Sequence, residues 1–568
     1  MVSSWTMKEL FRRIRGSSTP GQFLLFICLL ALLSFFILLP ILQVIYVAFT
    51  QDGRLTLTHF VNFFKQPSLN EALWRSLWVG IIVVFFSSII SLPLALFTTR
   101  YNFKGRLIVQ TLGVLPLVMP AFVSAIALQT ILGRSGMINQ IIRMFFGTTI
   151  PFMDGLTGVV LVQTLHYFPF ILLNSVSALE NSDLSLEEAG RNLGAFGWKL
   201  FHQITFPLMQ PGYMAGALIV FIKSIDDLGT PLMLGYHNLL APLAYQQITA
   251  INGNSTMGYV ISVILVLLSL LSLFLALHYL KQSEYVQQKS GSSVSRLQLF
   301  GWKGWAISCF CIILLTFSLL PHIGIFLMSI AKSWNFTVLP KTYTISNFTR
   351  VFSDAPKMIL NTVVYATLAA LIDIFLGAII SFILLRGRML GRTILDFIAT
   401  LPLAIPGVVL AIGYLRIFHT IDLPIIGKPL TETWLILVIV YAVRRLPYTV
   451  RSCYATLQQI HISLEEASKN LGANTLSTFT KIVLPLMLPG IVAGGIMAFI
   501  SSSVELSSTL MLVPRNEMAP ISYGIYLYMQ ETTGRGASAS LGVIAIIIVS
   551  IGTYVVNRLS RHRGAGKI

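Results

Sequence analysis

Five ionisable residues, Asp226, Asp227, Arg444, Arg445 and Glu505, lie inside stretches of otherwise apolar sequence. A charge facing lipid there costs about 2.5–3.5 kcal/mol, so each side chain is expected to face protein or a polar cavity. Asp227 and Glu505 align across an internal repeat with an offset of 278 residues. As a pair they are candidates to flank a route for a cationic or metal-bearing solute. The competing role is structural: pairing with Arg444, Arg445 or Lys223, or capping an interrupted helix. Arg444 and Arg445 have two readings as well. Lining a route, they would hold an anion such as a phosphate ester by bidentate hydrogen bonds; otherwise they snorkel toward a membrane interface. His166, which stands where the other half has Arg444, reads as a hydrogen-bonded packing residue. Asp373 and Asp396 receive no role. No His/Asp/Glu cluster has ligand spacing and no nucleophile has an evident base, so neither a resident metal nor a catalytic residue is expected.

A second pattern occurs twice. Ser185-Leu-Glu-Glu188-Ala189-Gly190-Arg-Asn-Leu-Gly194 is followed after nine residues by Ile204-Thr-Phe206-Pro207, and Ser463-Leu-Glu-Glu466-Ala467-Ser468-Lys-Asn-Leu-Gly472 after nine by Ile482-Val-Leu484-Pro485. Serine with glutamate three residues later is a capping box, which predicts short helices starting at Ser185 and Ser463. Small residues at 189, 190, 467 and 468 leave one helical face flat, and Gly194 and Gly472 permit a reversal. Each copy is expected to be a short, rigid knob that something else can grip.

These residues resemble the EAA loop of ABC importer permeases, and the resemblance covers nearly the whole chain. It implies that Glu188, Ala189, Gly194, Glu466, Ala467 and Gly472 couple the membrane helices to a nucleotide-binding subunit. Gly190, Ser468 and Phe206 depart conservatively from the family pattern. The fused double form, with Asp226-Asp227-Leu-Gly-Thr-Pro and Glu505-Leu-Ser-Ser-Thr, is most similar to the ferric-iron permease group, which has relatives for polyamines, thiamine, phosphonates and sugar phosphates. The resemblance implies two copies of a cytoplasmic ATPase and an extracytoplasmic solute-binding protein as partners. No Gly-x-x-x-x-Gly-Lys-Ser/Thr loop occurs, so the chain is expected to be no enzyme and to bind no cofactor, with ATP and Mg²⁺ held by the partner.

The elements that must position these residues follow from hydropathy. The chain has 568 residues, 55% hydrophobic and only 11% charged, with a mean hydropathy of +0.79, which excludes a water-surfaced globule. An all-α integral membrane protein of about twelve spans is predicted, near 22–49, 75–98, 108–132, 156–179, 210–235 and 257–280, then 304–331, 358–385, 393–416, 433–452, 488–512 and 539–557. The first follows a basic stretch and is too long for the apolar core of a cleaved signal peptide. The net charge of +18 is spread between apolar segments, which argues for topology and against nucleic-acid binding. Lys and Arg are commoner in the termini and even-numbered loops, which predicts cytoplasmic termini in a bacterial inner membrane.

The halves repeat in parallel, as 1–281 and 301–568, joined by a polar cytoplasmic linker at 282–300. Leu115-Pro-Leu-Val-Met-Pro120 matches Leu401-Pro-Leu-Ala-Ile-Pro406 at an offset of 286. Pro116, Pro120, Pro402 and Pro406 break backbone hydrogen bonds and are candidate hinges, with simple kinks as the alternative. Cys28, Cys309, Cys311 and Cys453 read as small hydrophobes. An ion-driven secondary transporter also fits a parallel repeat of six plus six spans, but it leaves the two knobs unexplained.

Overall fold

The computed structural model describes residues 20–250, 255–286, 297–298, 301–387, 389–422, 427–531 and 533–564. Most of the predicted linker, at 287–296 and 299–300, lies outside them. The architecture is all-α and multi-pass. In the first half, α1 is Pro20–Ala48, α2 Pro67–Arg100, α3 Ala121–Leu132, α4 Gly155–Glu180, α5 the short Leu184–Asn192, α6 Gly197–Asp226 and α7 Ser255–Val286. In the second, α8 is Trp302–Ile330, α9 Pro356–Arg386, α10 Gly407–Phe418, α11 Leu435–Gln459, α12 the short Ser463–Asn470, α13 Thr475–Ser503 and α14 Arg535–Gly564.

Ten helices among the described residues are long and apolar enough to cross a bilayer. The segment Arg392–Leu403 followed by α10 adds a bent pair. Helix α11 is 25 residues long but carries Arg444, Arg445 and Arg451. Two predicted spans are interrupted at the prolines that mark them as candidate hinges or kinks. Around Pro116 and Pro120, a helix over Arg106–Leu112 passes into a 3₁₀ turn at Leu115–Val118 before α3 begins. Around Pro402 and Pro406 the chain turns by 109°. The cause is local. Each second proline sits in extended conformation just before the next helix, with ψ near 143° at Pro120 and 140° at Pro406, and the residue before a proline is itself pushed out of the helical region. The predicted spans at 210–235 and 488–512 shift too: α6 and α13 start earlier and end at Asp226 and Ser503.

Prolines also shape three helices that continue through them. A five-residue π turn ends two residues before Pro40, Pro207 and Pro485, at Ser34–Leu38, Phe201–Thr205 and Phe479–Val483. A proline ring clashes with the carbonyl four residues back, and widening that turn makes room for it. For Pro40 the displaced carbonyl is that of Phe36, and the fully buried Tyr414 donates its hydroxyl to it at 2.8 Å.

The described chain forms two compact units. One comprises the described residues of Met1–Thr56, Ala355–Gly524 and Ala545–Ile568; the other comprises Leu57–Asp354 and Ile525–Ile544. Each unit therefore takes its first membrane helix from the other half of the sequence. In the first unit α1 packs on α10: the Gly413 position leaves no room for a Cβ beside the Pro40 backbone, and Phe418 meets Phe35 and Phe36. In the second unit α8 packs on α3, with Gly324 against Ile131 and the Ala127 carbonyl. Ala127 and Gly413 are equivalent positions of the repeat, so the same place on the broken helix receives the exchanged helix in both units. Small residues permit this because helix association in lipid depends on close backbone approach.

Candidate functional site

The two knobs form as short helices, but not by the predicted capping box. Helix α5 starts one residue early because Asp183 is the cap, its carboxylate accepting the Ser185 N–H at 2.9 Å. Helix α12 does start at Ser463, but without a side-chain cap from the residue before it; the His461 ring lies 2.8 Å from the Ser463 hydroxyl instead. Both helices end as the glycines predict. Gly194 and Gly472 have φ of +83° and +86°, and the next residue's N–H returns to the carbonyl of Gly190 or Ser468 at 2.9 and 3.1 Å. That left-handed closure is the one a glycine permits without strain.

One face of each knob is held and the other is open. Glu188, Ala189, Glu466 and Ala467 are exposed. Leu193 and Leu471, matched across the repeat, are 88% and 89% exposed, and Phe196, Trp198, Leu464 and Leu476 are exposed beside them. Apolar groups this exposed on a polar segment mark a contact surface. The four small residues divide between the faces: Ala189 and Ala467 are exposed, while Gly190 and Ser468 are buried against the protein. A Cβ on Gly190 would lie 2.2 Å from Ile204, and Ser468 bonds Thr478 at 2.9 Å between hydroxyls.

The residues that anchor the held face escaped the sequence reading. Glu187, not Glu188, is the buried acid of α5, and Arg100 at the end of α2 pairs with it at 2.8 Å. The same guanidinium donates to the Leu179 carbonyl at 2.9 Å and the Ser182 hydroxyl at 2.7 Å. In the other unit Arg386, ending α9, pairs with the buried Glu465 at 2.6 Å and donates to the Ile460 carbonyl at 2.7 Å. Arg100 and Arg386 match at the 286 offset and Glu187 and Glu465 at the 278 offset, so the signal was present. The two offsets differ, so the sequence by itself does not say which acid each arginine meets.

The membrane acids lie where α6 and α13 stop. Asp227 accepts the Thr230 N–H at 3.1 Å and a hydrogen bond from the Gln163 amide at 3.1 Å. Glu505 accepts the Ser508 N–H at 3.2 Å, the same bond three residues on. Each therefore holds the backbone N–H three residues on, at the start of the next short helix. Around Glu505 the structure also gathers Arg444 and Arg445, one guanidinium on each carboxylate oxygen, all buried. This overturns the snorkelling of the arginines toward an interface. Paired with a carboxylate deep in the fold, they have no need to reach water. Asp226 is half-buried at the end of α6. His166 is part of α4, its Nδ1 without a hydrogen-bond partner. Asp396 pairs with Arg451 at 2.9 Å. Asp373 is fully buried, both oxygens without a hydrogen-bond partner, beside a cavity of about 230 Å³ lined by Phe36, Leu376 and Val443. Pro116, Pro120, Pro402 and Pro406 sit at the two helix breaks. Among the described residues no group of three or more His, Cys, Asp and Glu is placed to hold a metal.

Comparison with known proteins agrees with this layout. The family described as binding-protein-dependent transport system inner membrane component matches residues 91–283 and again 373–563. The ferric transport system permease protein FbpB of Actinobacillus pleuropneumoniae is 27% identical over 533 residues, 92% of this chain and 76% of that protein. The Fe(3+)-transport system permease protein FbpB 2 of Haemophilus influenzae is 24% identical over 531 residues, 92% of this chain and 95% of its own. The molybdenum transport system permease protein ModB of the same species is 31% identical over 206 residues, 35% of this chain and 89% of that protein. With the family's domain present twice, over more than half of its length, the chain belongs to the binding-protein-dependent transport system inner membrane components and is a fused double permease of an ABC importer.

Proposed function

We propose that this chain is the membrane subunit of an ATP-driven importer, with both termini and both knobs in the cytoplasm. The observation that carries the reading is the pair of matched knobs, each holding one face against the protein and presenting a glutamate, an alanine and an almost fully exposed leucine on the other. One ATPase subunit grips each knob through Glu188, Ala189 and the Gly194 turn, or Glu466, Ala467 and the Gly472 turn. ATP and Mg²⁺ are held by those subunits. A solute-binding protein delivers the cargo from outside, and no bond of the cargo is made or broken. The broken helices around Pro116, Pro120, Pro402 and Pro406 are the hinges of the switch in access. Ferric ion is the proposed cargo, on the likeness to ferric permeases over most of the chain.

The test is co-purification with the cognate ATPase. Wild type is expected to retain it and the Glu188→Lys/Glu466→Lys double variant to lose it; an ATPase that stays bound to the double variant overturns the docking assignment. Uptake of radiolabelled ferric ion in cells lacking other iron importers tests the cargo. Uptake of a phosphonate, sugar phosphate, polyamine, thiamine or molybdate with no ferric uptake would replace it, and uptake driven by a proton or sodium gradient without any ATPase would replace the class.

A further inference from the structure

We infer that Arg100 and Arg386 are positioning residues that make α2 and α9 the struts through which each knob is tied to the opposite end of its own unit. The inference rests on the knobs being the ATPase docking sites and adds how their displacement is carried onward.

A knob has two covalent links to the membrane helices. One is the short connection from α4, and the other is the glycine reversal into α6, or their counterparts α11 and α13. The glycine turn reverses the chain through a left-handed residue, and the helix that follows it opens into a π turn within a few residues. Neither feature suits a rigid lever. The arginine supplies a third link. Arg100 holds Glu187 on the knob while closing the carbonyl of Leu179 in the last turn of α4, so three elements meet on one planar guanidinium. Its fork geometry makes such a junction stiff, which a lysine's single point charge does not. Arg386 makes the corresponding junction with Glu465 and the carbonyl of Ile460. The first pair is almost wholly removed from water, with side chains 3% and 2% exposed, and the second nearly so at 15% and 4%.

At its other end each strut makes a second matched bond. The Ser76 hydroxyl accepts the Leu240 N–H at 2.9 Å, and Thr362, the repeat equivalent of Ser76, accepts the Ile521 N–H at 2.7 Å. Leu240 and Ile521 begin the helices Leu240–Thr249 and Ile521–Gln530, which follow the capped breaks at Asp227 and Glu505. Ser76 to Arg100 and Thr362 to Arg386 are the same number of residues, about 36 Å of helix at 1.5 Å per residue, more than the hydrocarbon thickness of about 30 Å. In both units one unbroken helix thus holds the knob at one membrane face and the start of a post-break helix at the other.

The experiment uses the full complex of permease, ATPase and loaded binding protein in proteoliposomes. Arg100→Ala with Arg386→Ala is expected to keep the ATPase bound, because the outer face of each knob is untouched. Transport per ATP hydrolysed is expected to fall about tenfold, within the range of a lost coupling free energy. The charge swap Arg100→Glu with Glu187→Arg should recover part of that loss, which removal of mere packing would not allow. Ser76→Ala with Thr362→Val leaves both ion pairs intact and should lower the same ratio; it serves if the arginine variants fail to assemble. Unchanged transport per ATP in the serine and threonine variant overturns the strut. A folded arginine variant that releases the ATPase also overturns it, because the pair would then be part of docking. Failure of the docking reading is seen separately, as ATPase retention by the Glu188→Lys/Glu466→Lys variant.

Discussion

Asp227 and Glu505 stand at matched places in the two halves and do the same local job in different electrostatic company. Each caps the backbone three residues on, at 3.1 and 3.2 Å. Asp227 does so beside the neutral Gln163 amide. Glu505 does so between two buried guanidiniums. Where the second half has Arg444, Arg445 and Asp373, the first has His166, Tyr167 and Ser87. The repeat has therefore kept the capping geometry, which the broken helix requires, and let the surrounding charge diverge.

That contrast can be broken by mutation. Glu505→Gln leaves two buried guanidiniums without their counter-charge and should cost about 3–5 kcal/mol, seen as a large drop in thermal unfolding temperature in detergent. Asp373→Leu should act in the opposite direction, by about 1–3 kcal/mol, because it replaces a buried carboxyl without a hydrogen-bond partner by a side chain suited to the adjoining apolar cavity. A destabilised Asp373→Leu protein would mean that Arg445 depends on that acid. Gly407→Ala sharpens the comparison at the helix break: a Cβ there would lie 2.3 Å from the Arg444 guanidinium, and a loss of about 1–3 kcal/mol is expected from the overpacking. The equivalent residue in the first half is already Ala121. The smallest effect belongs to Asp227→Asn, which keeps a side-chain oxygen to accept from Thr230 and should cost about 0.5–1.5 kcal/mol. If it costs as much as Glu505→Gln, the two sites are not electrostatically different and the comparison fails.

Much of the fold was legible in the sequence because a bilayer imposes it. Long apolar runs are driven into helices, since lipid offers no other partner for an exposed backbone. The parallel repeat and the two knobs followed from matched residues, and Gly194 and Gly472 signalled their left-handed turns. The breaks at Pro120 and Pro406 were legible as interruptions, though not as a 109° turn, because a proline removes a hydrogen bond without dictating where the chain goes next.

What the sequence determined by itself was local: which segments are helical and apolar, where prolines interrupt them, and that two surface helices share one design. Those follow from backbone hydrogen bonding, side-chain polarity and glycine's conformational freedom, all properties of neighbouring residues. Only the tertiary structure decided which of two adjacent glutamates turns inward, that Arg100 and Arg386 meet Glu187 and Glu465, that Arg444 and Arg445 share Glu505, and that each unit borrows its first helix from the other half. These are choices among distant partners of similar chemistry, and they are made by packing and by the cost of leaving a buried charge alone.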